Sequence, residues 1–242
     1  MTSIRFSYSA TFVRAAAWAA ACAGVAVLAA CASPASRFYT LSGANADSAG
    51  ERAVQAPAAR TVAAPAFLFE VPPVDTPAQV SRNQLVVQAG DARVDVLEQE
   101  RWASPPADEI RRALSGDLAA RLGSFDVYGA PHPDAVPVYR VTVNVRRFES
   151  WPGSRAVLDA VWSVRAVRTQ AVLTCRTVAS EPVGAGYAAL VDGHRRAVAQ
   201  MADEIAAAVR ALAAQAPAAG ATAGSAGGRC ASGSQTAVSS SK

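Results

Sequence analysis

The 242-residue sequence has a formal net charge of +4, only 17% charged residues, and arginine in place of lysine everywhere except Lys242. Two of those arginines, Arg5 and Arg14, sit in an N-terminal leader, so the remainder is close to neutral and Arg111-Arg112, Arg146-Arg147 and Arg195-Arg196 are isolated pairs. Such a balance excludes a nucleic-acid partner, and two histidines and four cysteines leave little material for a metal site.

Residues 1–30 have the cationic start and uncharged run, 15–30, of a secretory signal. The run is shorter than the roughly 20 residues a spanning helix needs. Leu28-Ala29-Ala30-Cys31 at its end resembles a bacterial lipobox. Small residues before the cleavage point admit a peptidase, and only a thiol is nucleophilic enough near neutrality to take the diacylglycerol. The lipid on Cys31 is the one covalent group expected, with no other cofactor. Several acyl chains at about 0.8 kcal/mol per buried CH₂ hold a protein on a membrane without a spanning helix. Ala32, rather than Asp, after the cysteine implies delivery to the periplasmic face of the outer membrane, as in other bacterial lipoproteins. With Cys22 removed and Cys31 acylated, Cys175 and Cys230 remain in an oxidising compartment, either as a disulfide or as two spare thiols.

Residues 31–65 read as the lipidated cysteine, a short first strand at 37–42 and a flexible Ala-, Gly-, Ser- and Pro-rich linker from 43. Residues 66–71 form a strand ended by Pro72-Pro73. A loop leads into a strand at 80–88, and Gly90-Asp91 turns it into a hairpin partner at 93–98. Ser104 as N-cap, Pro105-Pro106 and Asp108-Glu109 open a helix whose apolar stripe is Ile110, Leu114, Leu118 and Leu122, with Gly123 as its stop. Residues 125–128 make a short strand. Strands at 138–148, 156–169 and 171–178 form an antiparallel meander, Val141, Val143 and Val145 facing one side and Arg140, Thr142, Asn144 and Arg146 the other. Asp192 caps a last helix with Val198, Met201, Ile205, Val209 and Leu212 on its buried stripe. Residues 214–242 are a low-complexity tail without the means to build a core. The order of elements predicts an α+β fold: a single domain over 36–213, one curved, mainly antiparallel or mixed sheet with two amphipathic helices packed on one face.

Chemistry is sparse. His132, between two prolines, and His194, in the last helix, read as solvated side chains that do not converge with carboxylates or thiols. Gly184-Ala185-Gly186-Tyr187-Ala188-Ala189 matches a dinucleotide-loop pattern in letters only, because Pro182 interrupts the lead-in strand and no later strand carries a ribose-binding acid. Ala223-Gly224-Ser225-Ala226-Gly227 lies in the tail rather than at a strand-to-helix elbow. Paired acids such as Glu98 and Glu100, or Asp203 and Glu204, read as surface choices. No reaction is expected.

Several segments, in order, resemble the ABC-type transport auxiliary lipoproteins: the lipobox at Cys31, Arg37-Phe38-Tyr39-Thr40-Leu41, Val71-Pro72-Pro73-Val74-Asp75-Thr76-Pro77-Ala78-Gln79-Val80-Ser81-Arg82, Arg101-Trp102-Ala103-Ser104-Pro105, the strand ending Arg147-Phe148-Glu149 with its Pro152-Gly153 turn, and the helix after Val191-Asp192. The resemblance implies a component of a lipid transport system that maintains the Gram-negative envelope. It also implies docking of the domain, held by its membrane anchor, against the system's MCE-domain protein or another copy of itself. The proline-rich loop, with Val71, Pro72, Pro73, Asp75 and Arg82, and Trp102 are the candidate contacts, since fixed-φ and aromatic residues give rigid area at low entropic cost; the competing and slightly stronger reading of Trp102 is simply core. The alternatives are a tethered lipid carrier and a regulator of cell-wall synthases.

Overall fold

Seven strands and two helices are seen in the computed structural model, which describes residues 35–43 and 65–215. Cys31, Cys230, the leader, most of the linker and the tail lie outside them. The strands are β1 (Arg37–Tyr39), β2 (Leu68–Glu70), β3 (Gln84–Gln88), β4 (Val94–Trp102), β5 (Val138–Trp151), β6 (Arg155–Ala166) and β7 (Val172–Pro182). Helices α1 (Pro106–Leu122) and α2 (Tyr187–Gln215) complete the set, with a 3-10 turn at Ala78–Val80.

The α+β expectation holds, but the single curved sheet is two. One has the order β1-β4-β3 and the other β2-β5-β6-β7. The meander β5-β6-β7 and the hairpin β3-β4 are antiparallel, while β1 joins β4 and β2 joins β5 in parallel. Only residues that return from a distance can make parallel pairs, which need long connections. Beyond Pro72-Pro73 the chain continues along the edge of β5: Asp75 N–H donates to Val143 O at 3.3 Å and Val145 N–H donates to Asp75 O at 2.9 Å. The prolines interrupt β2 because they lack the donors a ladder requires.

Alternation along β5 places Val141, Val143 and Val145 in the core and leaves Arg140, Thr142 and Asn144 exposed. At Val145/Arg147 the register slips, so Arg146 is an extra residue. Both Arg146 and Arg147 then face solvent and Phe148 returns to the core. A bulge re-aims side chains in this way while keeping the strand paired on either side.

In α1, Ile110, Leu114 and Leu118 are fully buried, each contributing about 1.5–3 kcal/mol by leaving water. Gly123 ends the helix in the left-handed region at φ 61°. The expected Ser104 cap is absent: Pro105 occupies the cap position without a side-chain bond, and Ser104 Oγ turns to Glu109. Helix α2 starts at Tyr187, ahead of Asp192, so Asp192 is no cap and pairs with Arg195 at 2.7 Å. Its predicted stripe, Val198, Met201, Ile205, Val209 and Leu212, is buried throughout. Helix α2 packs across β5, β6 and β7, and α1 packs along α2. Residues 125–128 form a single bridge, Asp126 beside Phe69, rather than a strand.

At Gly193, α2 lies close against Ala156 of β6 and Val183 just past β7. A Cβ there would meet Val183 Cγ1 at 2.3 Å and Ala156 Cβ at 3.0 Å. Gly193→Ala should therefore destabilise the domain by about 1–3 kcal/mol through overpacking, against the gain of about 1 kcal/mol that the same change brings in an exposed helix. Urea titration of both proteins measures the sign.

Candidate functional site

The grip of the domain on β1 and the residues just after it centres on Glu109. Glu109 is 1% exposed, at the first turn of α1. Its Oε2 accepts from Thr40 Oγ1 at 2.7 Å and from Leu41 N–H at 2.8 Å; its Oε1 accepts from Ser104 Oγ at 2.6 Å and pairs with Arg112 at 3.3 Å. The helix N-terminus favours the negative charge as well. Arg195 of α2 donates to Thr40 O at 2.7 Å from Nη2. Upstream, Tyr39 O–H donates to Glu100 at 2.6 Å and Arg37 pairs with Glu100 at 3.3 Å. Burial, reinforced by the Glu100 carboxylate, raises the Tyr39 pKa. Glu100, read from sequence as a surface acid, is thus a buried clasp on β1. Nothing local announces Glu109: as a first-turn acid it looks like any dipole-compensating residue, and its partners at 40 and 41 lie far away in the chain.

The proline-rich loop is held equally firmly. Val71 N–H donates to Asp126 Oδ1 at 3.1 Å, Arg111 Nε donates to Val71 O at 2.9 Å, and Ser115 Oγ donates to Asp126 Oδ2 at 2.8 Å. Two of the predicted contacts fail on burial. Val71 has no exposed surface and Trp102 is 3% exposed, so both are core and neither can meet a partner. Pro72 is half-buried, and Pro73, Asp75 and Arg82 are exposed. The loop therefore turns a short row of polar and proline side chains outward from a backbone anchored on β5 and α1.

Elsewhere in the core, Trp102 and Phe148 pack against His194. The His194 ring stacks on Phe148 at 4.0 Å between centroids and stands edge-on to Trp102 at 6.2 Å. His194 is fully buried, which corrects its reading as a solvated residue; His132 is exposed as expected. The signal was present, since position 194 continues the α2 stripe back from Val198 and Met201 at helical spacing. His194 Nε2 and Ser150 Oγ share a 2.8 Å hydrogen bond, and Nδ1 has no partner. The tautomer with its proton on Nε2 fits best, because it leaves a lone pair rather than an N–H unpaired. Burial pushes the His194 pKa down to about 3. Neither histidine meets a carboxylate or thiol, and among the described residues no group of three or more metal-ligating side chains gathers. No helix among them is long and apolar enough to cross a membrane.

Cys175 lies on β7, facing α2, and is disulfide-bonded to a residue outside the described ones. A groove of about 560 Å³ runs between α1 and α2, floored by Ala113, Gly116, Ala120 and Ala199 and rimmed by Arg112 and Arg195. Both arginines are already engaged by groups of the domain itself.

Two expectations follow. Glu109→Ala leaves the Thr40, Leu41 and Ser104 donors without their acceptor, and should cost about 3 kcal/mol and make the chain around Phe38 sensitive to limited proteolysis. The neutral His194 stabilises the fold above the unfolded-state pKa of about 6.5. That stability is lost as pH falls toward 3, and about 2 kcal/mol should disappear between pH 7 and pH 5. His194→Gln should flatten that slope in urea titrations at the two pH values.

A family model, the ABC-type transport auxiliary lipoprotein component, matches residues 51–206. The match takes in every described element from β2 into α2. No curated protein matches the chain. Two crystal structures share the fold. A protein of uncharacterised function is 19% identical with a TM-score of 0.55, over 73% of this chain and 99% of its own. Protein XCC0632 from Xanthomonas campestris is 18% identical with a TM-score of 0.50, over 63% of this chain and 90% of its own. The family serves transport as an auxiliary rather than as an enzyme, and this chain belongs to it: it is a member of the ABC-type transport auxiliary lipoprotein family.

Proposed function

We propose that acyl chains on Cys31 hold this domain at the periplasmic face of the outer membrane, where it docks the MCE assembly of an ABC system that moves envelope lipid. The observation that carries the reading is the family match across the domain, on a chain whose residues 28–31 resemble a lipobox. The role is positional. Residues 32–36 separate the anchor from β1, and at about 3.3–3.6 Å per residue they span at most about 20 Å. The domain therefore works close to the membrane surface, and any pull on the anchor reaches the fold at the Glu109 clasp.

Pro72, Pro73, Asp75 and Arg82 are the surviving contact candidates. The Asp75 backbone is already held by β5 and that of Arg82 by Val80, so a partner loses little entropy in meeting them.

Cys31→Ser should shift the protein from the membrane fraction to the soluble periplasm. A photocrosslinker placed at Asp75 or Arg82 should capture the MCE protein in cells, whereas one at Glu98 of β4 should not. A Cys31→Ser protein that stayed on the membrane would remove the anchor from this reading. Capture of a cell-wall synthase alone would replace the docking partner.

A further inference from the structure

The side of the four-stranded sheet turned away from α2 is open to solvent, with Arg140, Arg147, Arg165 and Arg176 exposed along its three long strands. A wet face is ordinary for antiparallel strands. The charge on this one is not, because arginines and acidic residues balance over the described residues as a whole. Here six arginines, the other two being Arg146 and Arg155, stand against the three acids Glu70, Glu149 and Asp159. The rest of the domain is correspondingly acidic.

The surplus is not taken up within the face. Each acid is already matched: Arg140 reaches Glu70 at 2.6 Å, Arg147 takes both oxygens of Glu149 at 2.7 and 3.0 Å, and Arg176 takes both of Asp159 at 2.8 and 2.6 Å. Arg146, Arg155 and Arg165 pair with no carboxylate among the described residues. Arg146 is the extra residue of the β5 bulge, which doubles the arginines turned outward at that level. It stands near Asp159, whose carboxyl is held below its ordinary pKa by Arg176 above all, with the charges of Arg147 and Arg146 adding. Arg155 lies over the Trp151 ring at 4.7 Å, which fixes the plane of its guanidinium and leaves the N–H fork unfilled among the described residues. Arg165 stands directly across from Arg140, an arrangement of like charges that costs a sheet stability. Three guanidinium groups thus have room for acids from outside.

Arginine forks fit carboxylates and phosphates alike, so an acidic protein and an anionic bilayer both qualify by charge. The geometry favours the protein. A bilayer binder uses flexible cations and apolar side chains that enter the lipid. Here Trp151 is tied to Glu149 at 3.2 Å and capped by Arg155, and the apolar area between the charges is Val178 and the half-buried Val161, both on the sheet itself. A second copy joined symmetrically through this face would set positive charge against positive charge. The face also continues the outward row of the proline-rich loop, since Asp75 is in parallel register with Asn144 of β5.

We propose that the open face of β5, β6 and β7 docks an acidic face of a partner protein, which brings carboxylates to Arg146, Arg155 and Arg165. The inference rests on the docking reading above and names the chemistry its partner must have. Pairing of this kind steers the encounter and fixes the orientation of the two proteins.

The test uses the full acylated chain in cells. A photocrosslinker at Ser163, in the middle of the face, should capture the same protein as one at Asp75. Arg146→Glu combined with Arg165→Glu should lower capture from both positions at least tenfold, whereas Arg93→Glu, on the β3-β4 hairpin, should change neither. The double variant should unfold at an equal or higher urea concentration, because neither arginine holds an acid and the like-charge opposition at Arg140 is removed. Capture from Asp75 without capture from Ser163, or capture undiminished in the double variant, overturns the proposal and leaves the docking reading intact. Loss of capture from both positions in the unaltered chain removes the docking reading and the proposal with it. Capture of another copy of this chain from Ser163 overturns the proposal in favour of self-association. Binding of the Cys31→Ser chain to phosphatidylglycerol vesicles, abolished by the double substitution, overturns it in favour of the membrane surface.

Discussion

A buried carboxylate can stabilise a fold only if its surroundings supply what water would have. Glu109 meets that condition with the Thr40 hydroxyl, the Leu41 amide, the Ser104 hydroxyl and Arg112, all at the start of a helix whose dipole favours the charge. Each of those groups is itself fixed by the arrangement. β1 is only three residues long and could not hold its place by ladder bonds alone. Glu109, Glu100 and Arg195 grip its side chains and its exit, and so fix it on the core.

The rest of the architecture suits a protein that works by presenting a surface. Asp126 performs for the proline-rich loop what Glu109 performs for β1, receiving the Val71 amide and the Ser115 hydroxyl while Arg111 holds the Val71 carbonyl. His194, the one buried imidazole, faces aromatic rings and a serine hydroxyl, with its pKa pushed down to about 3 by burial. Such a group is a packing element that tolerates neutral pH, not a proton carrier near it.

On the open face of the four-stranded sheet, charges are paired in place. Arg176 makes a two-point contact with Asp159, at 2.8 and 2.6 Å, and keeps that carboxyl below its ordinary pKa. Arg147 does the same for Glu149. Pairing by a planar guanidinium suits half-buried carboxylates on a sheet, which fits the replacement of lysine by arginine along the chain.

Periodicity alone determined much of this protein. The stripes at Ile110, Leu114 and Leu118 and from Val198 to Leu212, the alternation of Val141, Val143 and Val145, and the Gly90-Asp91 hairpin all rest on neighbours in the chain, whose spacing is set by helix or strand geometry. The string Leu28-Ala29-Ala30-Cys31 is contiguous too, and it lies outside the described residues. Tertiary structure alone decided that the sheet divides in two, that Val71 and Trp102 are core while Pro73, Asp75 and Arg82 face outward, that Ser104 serves Glu109 rather than a cap, and that His194 is buried. Those outcomes depend on groups far apart in the chain that meet only after folding. Burial and hydrogen bonding are set by the residues found on the far side of a contact, and a linear pattern does not contain them.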